Sequence, residues 1–128
     1  MSGETRLFAK WIRVIDNVQL SFVLPSVGEQ IQSPSLPEGA LYRVSEFHVY
    51  DENSYTVEEI ARAGEYELIV FLVAVPGESV FAETVDDFDE RVYAGSVALN
   101  GKESQSFWYE PYEDPALLVM TESFTVTA

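Results

Sequence analysis

The sequence predicts an all-β domain, an antiparallel β-sandwich of seven or eight strands with one short helix. Three observations predict it. Apolar residues recur at every second position through most of the chain. The breaks fall at turn-forming pairs such as Asp16-Asn17, Pro76-Gly77 and Asn100-Gly101. Helical periods do not recur between the strands, so crossover helices for a parallel sheet are lacking and Greek-key or jelly-roll connections are the economical solution.

In chain order, Arg6 to Val14 alternates, with Phe8, Ile12 and Val14 on one face and Leu7, Ala9 and Trp11 on the other. Asp16-Asn17 then leads into Val18, Leu20, Phe22 and Leu24, as a hairpin or a strand corner. Pro25 to Gly39 carries three prolines and two glycines, too many breakers for a regular element, and reads as a long surface loop. Leu41 to Tyr50 resumes a strand, with Leu41, Phe47 and Val49 facing one way and Tyr42, Val44, His48 and Tyr50 the other. Thr56-Val57-Glu58-Glu59 matches a capping box, in which Thr56 caps the amide of Glu59 and Glu59 reaches back, and Gly64 can end the turn. The expected helix runs from Val57 to Ala63.

Tyr66 to Val75 is the most apolar strand, with Leu68, Val70 and Leu72 on one side and Ile69, Phe71, Val73 and Val75 on the other. An apolar strand on both sides needs two covers. One is the opposing layer; the second is expected from a neighbouring subunit, with Pro25 to Gly39 and the helix as the intramolecular alternative. Arg91 to Leu99 and Glu103 to Glu110 flank Asn100-Gly101, a strong hairpin signal because both positions tolerate positive φ. Ala116 to Thr127 closes the chain, with Leu118, Met120, Phe124 and Val126 alternating.

At 128 residues the chain suits one domain, which buries roughly two thirds of its unfolded surface. With no cysteine, disulfides and thiolate chemistry are excluded. The net charge of −15 sits mainly in the second half, where thirteen acids face only Arg91 and Lys102. Such a field repels phosphate backbones and anionic lipid, so neither nucleic acid nor membrane is an expected partner. Two lysines among so many acids is also a composition found in proteins adapted to high salt. The longest apolar run is about half of the ~20 residues that span a bilayer. With no signal-peptide pattern at residues 1–6, a cytoplasmic origin or prior processing is expected.

Candidate chemistry is sparse. Glu83, Asp86, Asp87, Asp89 and Glu90 offer the oxygens a hard cation wants, but strand backbone sends neighbouring carboxylates to opposite faces, and a solvated acidic loop is the expectation. His48 is the sole histidine, with Glu46 on its face; without a nucleophile at a strained turn, a cross-strand polar contact is expected. Glu110 with Glu113 or Asp114 has the residue types for glycoside hydrolysis. Phe107, Trp108, Tyr109 and Tyr112 either stack sugars or build core, and the core reading is preferred. No catalytic, cofactor or metal residue is therefore assigned.

Leu36 to Val44, with its Pro-x-Gly turn before a strand, followed by Phe47-His48-Val49-Tyr50, resembles small β-sandwich virion proteins of phages and archaeal viruses. Gly95 to Ser104 and Glu122 to Thr127 resemble the last hairpin of such domains. The resemblance implies a structural virion component without enzymatic activity, a capsid decoration, minor capsid or tail-associated protein bound to other virion subunits and oligomeric. A carbohydrate-binding module, with Trp108, Tyr109 and Tyr112 on one surface, is the alternative.

Overall fold

The computed structural model describes residues 12–113 and 115–127. In chain order the strands are β1 (Arg13–Ile15), β2 (Asn17–Leu20), β3 (Tyr42–Tyr50), β4 (Thr56–Val57), β5 (Gly64–Ala74), β6 (Ser79–Phe81), β7 (Glu83–Val85), β8 (Arg91–Tyr93), β9 (Ser96–Leu99), β10 (Lys102–Ser104), β11 (Phe107–Glu110) and β12 (Leu117–Val126). The fold is all-β, with no helix among the described residues. The antiparallel order β11-β12-β5-β3-β4 forms the largest sheet, and β10-β9-β2, β1-β6 and β7-β8 form smaller ones.

The core follows from the period-two pattern. Leu68, Val70 and Leu72 of β5 and Leu118 and Met120 of β12 are buried with Val18 and Leu20 of β2 and Val97 and Leu99 of β9. Tyr42 on β3 ties the five-stranded sheet to β2 at its hydroxyl, which accepts the amide of Gln19 at 2.7 Å and donates to that residue's carbonyl at 3.1 Å. The Asn100-Gly101 hairpin forms as expected, with φ of 54° and 82°. Its Asn100 side chain also accepts the Phe22 amide at 2.9 Å and donates to the Phe22 carbonyl at 3.0 Å, tying the end of β2 to the turn.

The expected helix over Val57 to Ala63 is absent. Thr56 and Val57 instead pair with Tyr50 and Val49, and Ile60 donates its amide to the Glu29 carbonyl at 2.9 Å. Ile60 is fully buried there. A two-turn helix is marginal on its own, and the loop backbone offered this β-branched segment both hydrogen bonds and a place in the core. Gly64 begins β5 and ends nothing. The Pro25 to Gly39 segment is irregular, but it is held by bridges from Ser35 to Ser21 and from Gln30 to Glu59, and it packs Ile31 and Leu36 against the core.

Two pairings depart from an antiparallel scheme, since β1 runs parallel to β6 and β2 parallel to β9. Asp16-Asn17 is a corner that hands the chain from one small sheet to another, and the Asp16 carbonyl accepts the Ser96 amide at 3.1 Å. The strand expected from Arg6 to Val14 is described only from Ile12 onward, and Arg6 to Trp11 lie outside the described residues. The strand expected from Arg91 to Leu99 breaks at Ala94-Gly95, and that from Glu103 to Glu110 at Gln105-Ser106. In β3 a bulge between Val44 and Glu46 changes the register. Tyr42 and Val44 therefore share the inner face with Phe47 and Val49, where strict alternation separates them.

Candidate functional site

The outer face of the five-stranded sheet gathers most of the residues singled out above. Cross-strand registers place Trp108, Val119, Phe71 and Glu46 in one row across β11, β12, β5 and β3. The next row toward Pro111 begins with Glu110 opposite Leu117 and ends with Val73 opposite Arg43. On the other side, Thr121 lies opposite Ile69 and Ile69 opposite His48. Trp108 is 45% exposed, and Ile69, Phe71, Val73 and Leu117 are half-buried. Val119, flanked in register by Trp108 and Phe71, is fully buried. None of Ile69, Phe71, Val73 or Val119 belongs to the core cluster, so this is a second apolar surface.

Polar groups border it. The Trp108 Nε1 donates to the Glu110 carboxylate at 2.8 Å, holding the indole to its own strand face. His48 Nε2 lies 2.7 Å from Glu46 Oε1, two residues away on the same strand, so the expected cross-strand contact is a same-strand one. The imidazole meets the Phe71 ring edge-on at 6.3 Å between centroids. Glu46 is its hydrogen-bond partner among the described residues.

The aromatic run divides between two sides of the sheet. Trp108 faces out, whereas Phe107 and Tyr109 pack inward against Tyr93 at 5.8 and 6.4 Å. Tyr112 is exposed beyond the strand end, and the Arg91 guanidinium lies 5.4 Å from its ring centroid. Trp108, Tyr109 and Tyr112 therefore do not form one platform. Glu110 is engaged by the indole, Glu113 lies in the following turn, and Asp114 is outside the described residues.

The acidic stretch is the β7–β8 hairpin. Arg91 grips Glu83 with two bonds of 2.9 and 2.8 Å, and the Tyr109 hydroxyl donates to the same carboxylate. The bonds from Arg91 hold the Glu83 carboxyl below the usual carboxylate range. Burial, then the bond to Glu83, pushes the Tyr109 phenol well above its ordinary value. Burial, reinforced by the Asp16 charge, raises Tyr93 to about 12. Asp86 turns its carboxylate onto the Phe88 and Glu90 amides at 2.8 and 3.0 Å. No three acids converge to hold a cation among the described residues.

The bulge in β3 is the feature that sequence reasoning missed here. It sets which residues of that strand face outward, and only the run of polar residues at Ser45-Glu46 hints at it. No family model, no curated protein and no solved structure matches the chain.

Proposed function

We propose that this chain is a non-enzymatic assembly protein whose two-layer β-sandwich docks a second copy of itself on the outer face of its five-stranded sheet. One observation carries the reading: an apolar strip bounded by opposite charges at its two ends. Glu110 stands at the β11 end opposite Leu117 and Arg43 at the β3 end opposite Val73, one step beyond the Leu118–Leu72 pair that joins β12 to β5. A two-fold axis along the strands, lying in the interface, brings the left end of one sheet over the right end of the other. Arg43 of each copy then meets Glu110 of its mate, while Phe71, Val73 and Leu117 close on one another. The interface needs screening, because each copy carries a net charge of −15.

The finer setting we propose is a virion, as a decoration, minor capsid or tail-associated subunit. Its support is the resemblance of Leu36 to Tyr50 and of Gly95 to Ser104, and recovery of the chain in purified particles tests it. The dimer is tested by mass measurement over a concentration series at ~0.5 M salt, where the Debye length is below roughly 8 Å. A dimer that Phe71→Glu abolishes, that Arg43→Glu weakens and that Arg43→Glu with Glu110→Arg restores is the expected result. A monomer at every concentration and salt level, with the circular dichroism of a folded β protein, refutes it.

A further inference from the structure

The inner face of β12 carries one residue that breaks its pattern. Leu118, Met120, Phe124 and Val126 alternate inward and are buried, and Glu122, the position between Met120 and Phe124, puts a carboxylate on that same face, opposite Leu68. Glu122 is half-buried, and no group among the described residues donates a hydrogen bond to it. A carboxylate placed where a strand wants a leucine costs solvation that solvent or a partner must return.

The surroundings show what kind of partner suits it. β11 pairs with β12 only from Leu117 to Met120, and the chain preceding it runs through β10, which belongs to the other sheet. The layers therefore gape beside Glu122, leaving a cavity of about 290 Å³ lined by Phe22, Leu24, Leu68, Leu99 and Phe124. Its aromatic wall is fixed, with Phe124 edge-on to Phe22 at 5.6 Å and stacked on Tyr66 at 5.8 Å. The Asn100 clamp on both backbone groups of Phe22 holds the opposite side. Lys102 stands exposed at the rim, and it forms no ion pair with Glu122.

The geometry points to a binding site for a small organic cation, an ammonium group on a compact apolar body. The ammonium pairs with Glu122, and the apolar body lies against exposed Leu24 and the small parts of Leu99 and Phe124 that reach the cavity, over a floor formed by buried Leu68. The size of the cavity, near the lower end of the roughly 300 to 1,000 Å³ typical of ligand sites, limits the body to about one ring or a short chain. A net charge of −15 raises the local concentration of cations around the whole molecule. This site lies on the inner side of the sheet and does not depend on the dimer proposed for the outer side.

The test is titration of the isotope-labelled protein with phenethylammonium, with phenethyl alcohol as its uncharged counterpart, followed by amide resonances. Phenethylammonium should shift Leu99, Asn100, Ser123 and Phe124, and the alcohol should bind about ten-fold more weakly or worse. Glu122→Gln should weaken the ammonium by a similar factor without moving resonances of the distant β7–β8 hairpin. Lys102→Met should tighten it a few-fold by removing a like charge. Equal binding of amine and alcohol, no effect of Glu122→Gln, or shifts confined to other surfaces overturns the site. Weaker binding of phenethylammonium in Lys102→Met overturns it as well, since removing a like charge beside the site should favour a bound ammonium.

Discussion

Replacing Gly95 with alanine should destabilise the protein for a reason fixed by space alone. A Cβ on Gly95 would lie 2.5 Å from the Asp16 carbonyl oxygen, 2.5 Å from the Tyr93 hydroxyl and 2.6 Å from the ring carbon bearing it. The carbonyl is held by the Ser96 amide, and Tyr93 is held by its bond to the Ser96 carbonyl at 2.9 Å and by packing on Phe81 and Phe107. Neither is the free end of a flexible side chain. Relief by shifting Tyr93 costs about 1–3 kcal/mol of overpacking and about 1 kcal/mol for its hydrogen bond. A total of roughly 2–4 kcal/mol lowers Tm by roughly 6–20 °C in a domain of this size. Urea and thermal unfolding followed by near-ultraviolet circular dichroism measure it. In a Tyr93→Phe background the same substitution should cost less, because one of the close atoms is gone. A Gly95→Ala protein melting within 1 °C of its parent, a small fraction of the roughly 6–20 °C expected, would show that the corner of β1 and β2 does not press on the β8–β9 break as described.

Gly101→Val should lose about 1–2 kcal/mol through φ strain, since an added Cβ meets nothing within 4 Å, and Gly101→Asn should recover much of it. The raised phenol of Tyr93 sets an alkaline limit. Its folded value of about 12 lies above the ordinary value of 10.0, so its contribution is whole below pH ~10 and is lost as pH rises toward 12, on the order of 2 kcal/mol; a Tyr93→Phe protein should show a flatter stability curve across that window. Glu83 works in the opposite sense, its depressed value giving stability that is present above the unfolded value and lost as acid protonates the folded carboxylate, and Arg91→Leu should remove this acid dependence. Salt should raise Tm up to ~1 M, where screening is mostly complete, and a salt-independent Tm would contradict self-repulsion among the acids.

Most strands were legible because each buries one face, and burial writes a period of two into the sequence. β5 and β12 are found within two residues of their expected ends. The turn at Asn100-Gly101 was legible because positive φ restricts the residues that fit it. The segment from Thr56 to Ala63 was not, because its capping box is a local signal and the pairing of Ile60 with the Pro25 to Gly39 loop is a tertiary one. Parallel pairing of β2 with β9 leaves no local trace at all, since antiparallel and parallel neighbours ask for the same alternation. Of the outer face, Ile69, Phe71 and Val73 were visible as a surplus of apolar residues on β5. The row that joins them to Trp108 and Arg43 depends on registers that only the folded sheet supplies.

The pairing of Asn17 with Ser96 spans 79 residues, and it governs how the chain reaches its native state. During synthesis β2 emerges well before β9 and waits for it while the 79 residues that separate Asn17 from Ser96 are made, because its strand partner does not yet exist. Loop closure over that distance makes the late step slow, as it does in other β topologies rich in distant contacts. Until then Val18 and Leu20, buried in the finished protein, remain uncovered along an open strand. The density of carboxylates has a second use in that interval, since like-charged nascent chains repel one another while their unpaired strands are exposed.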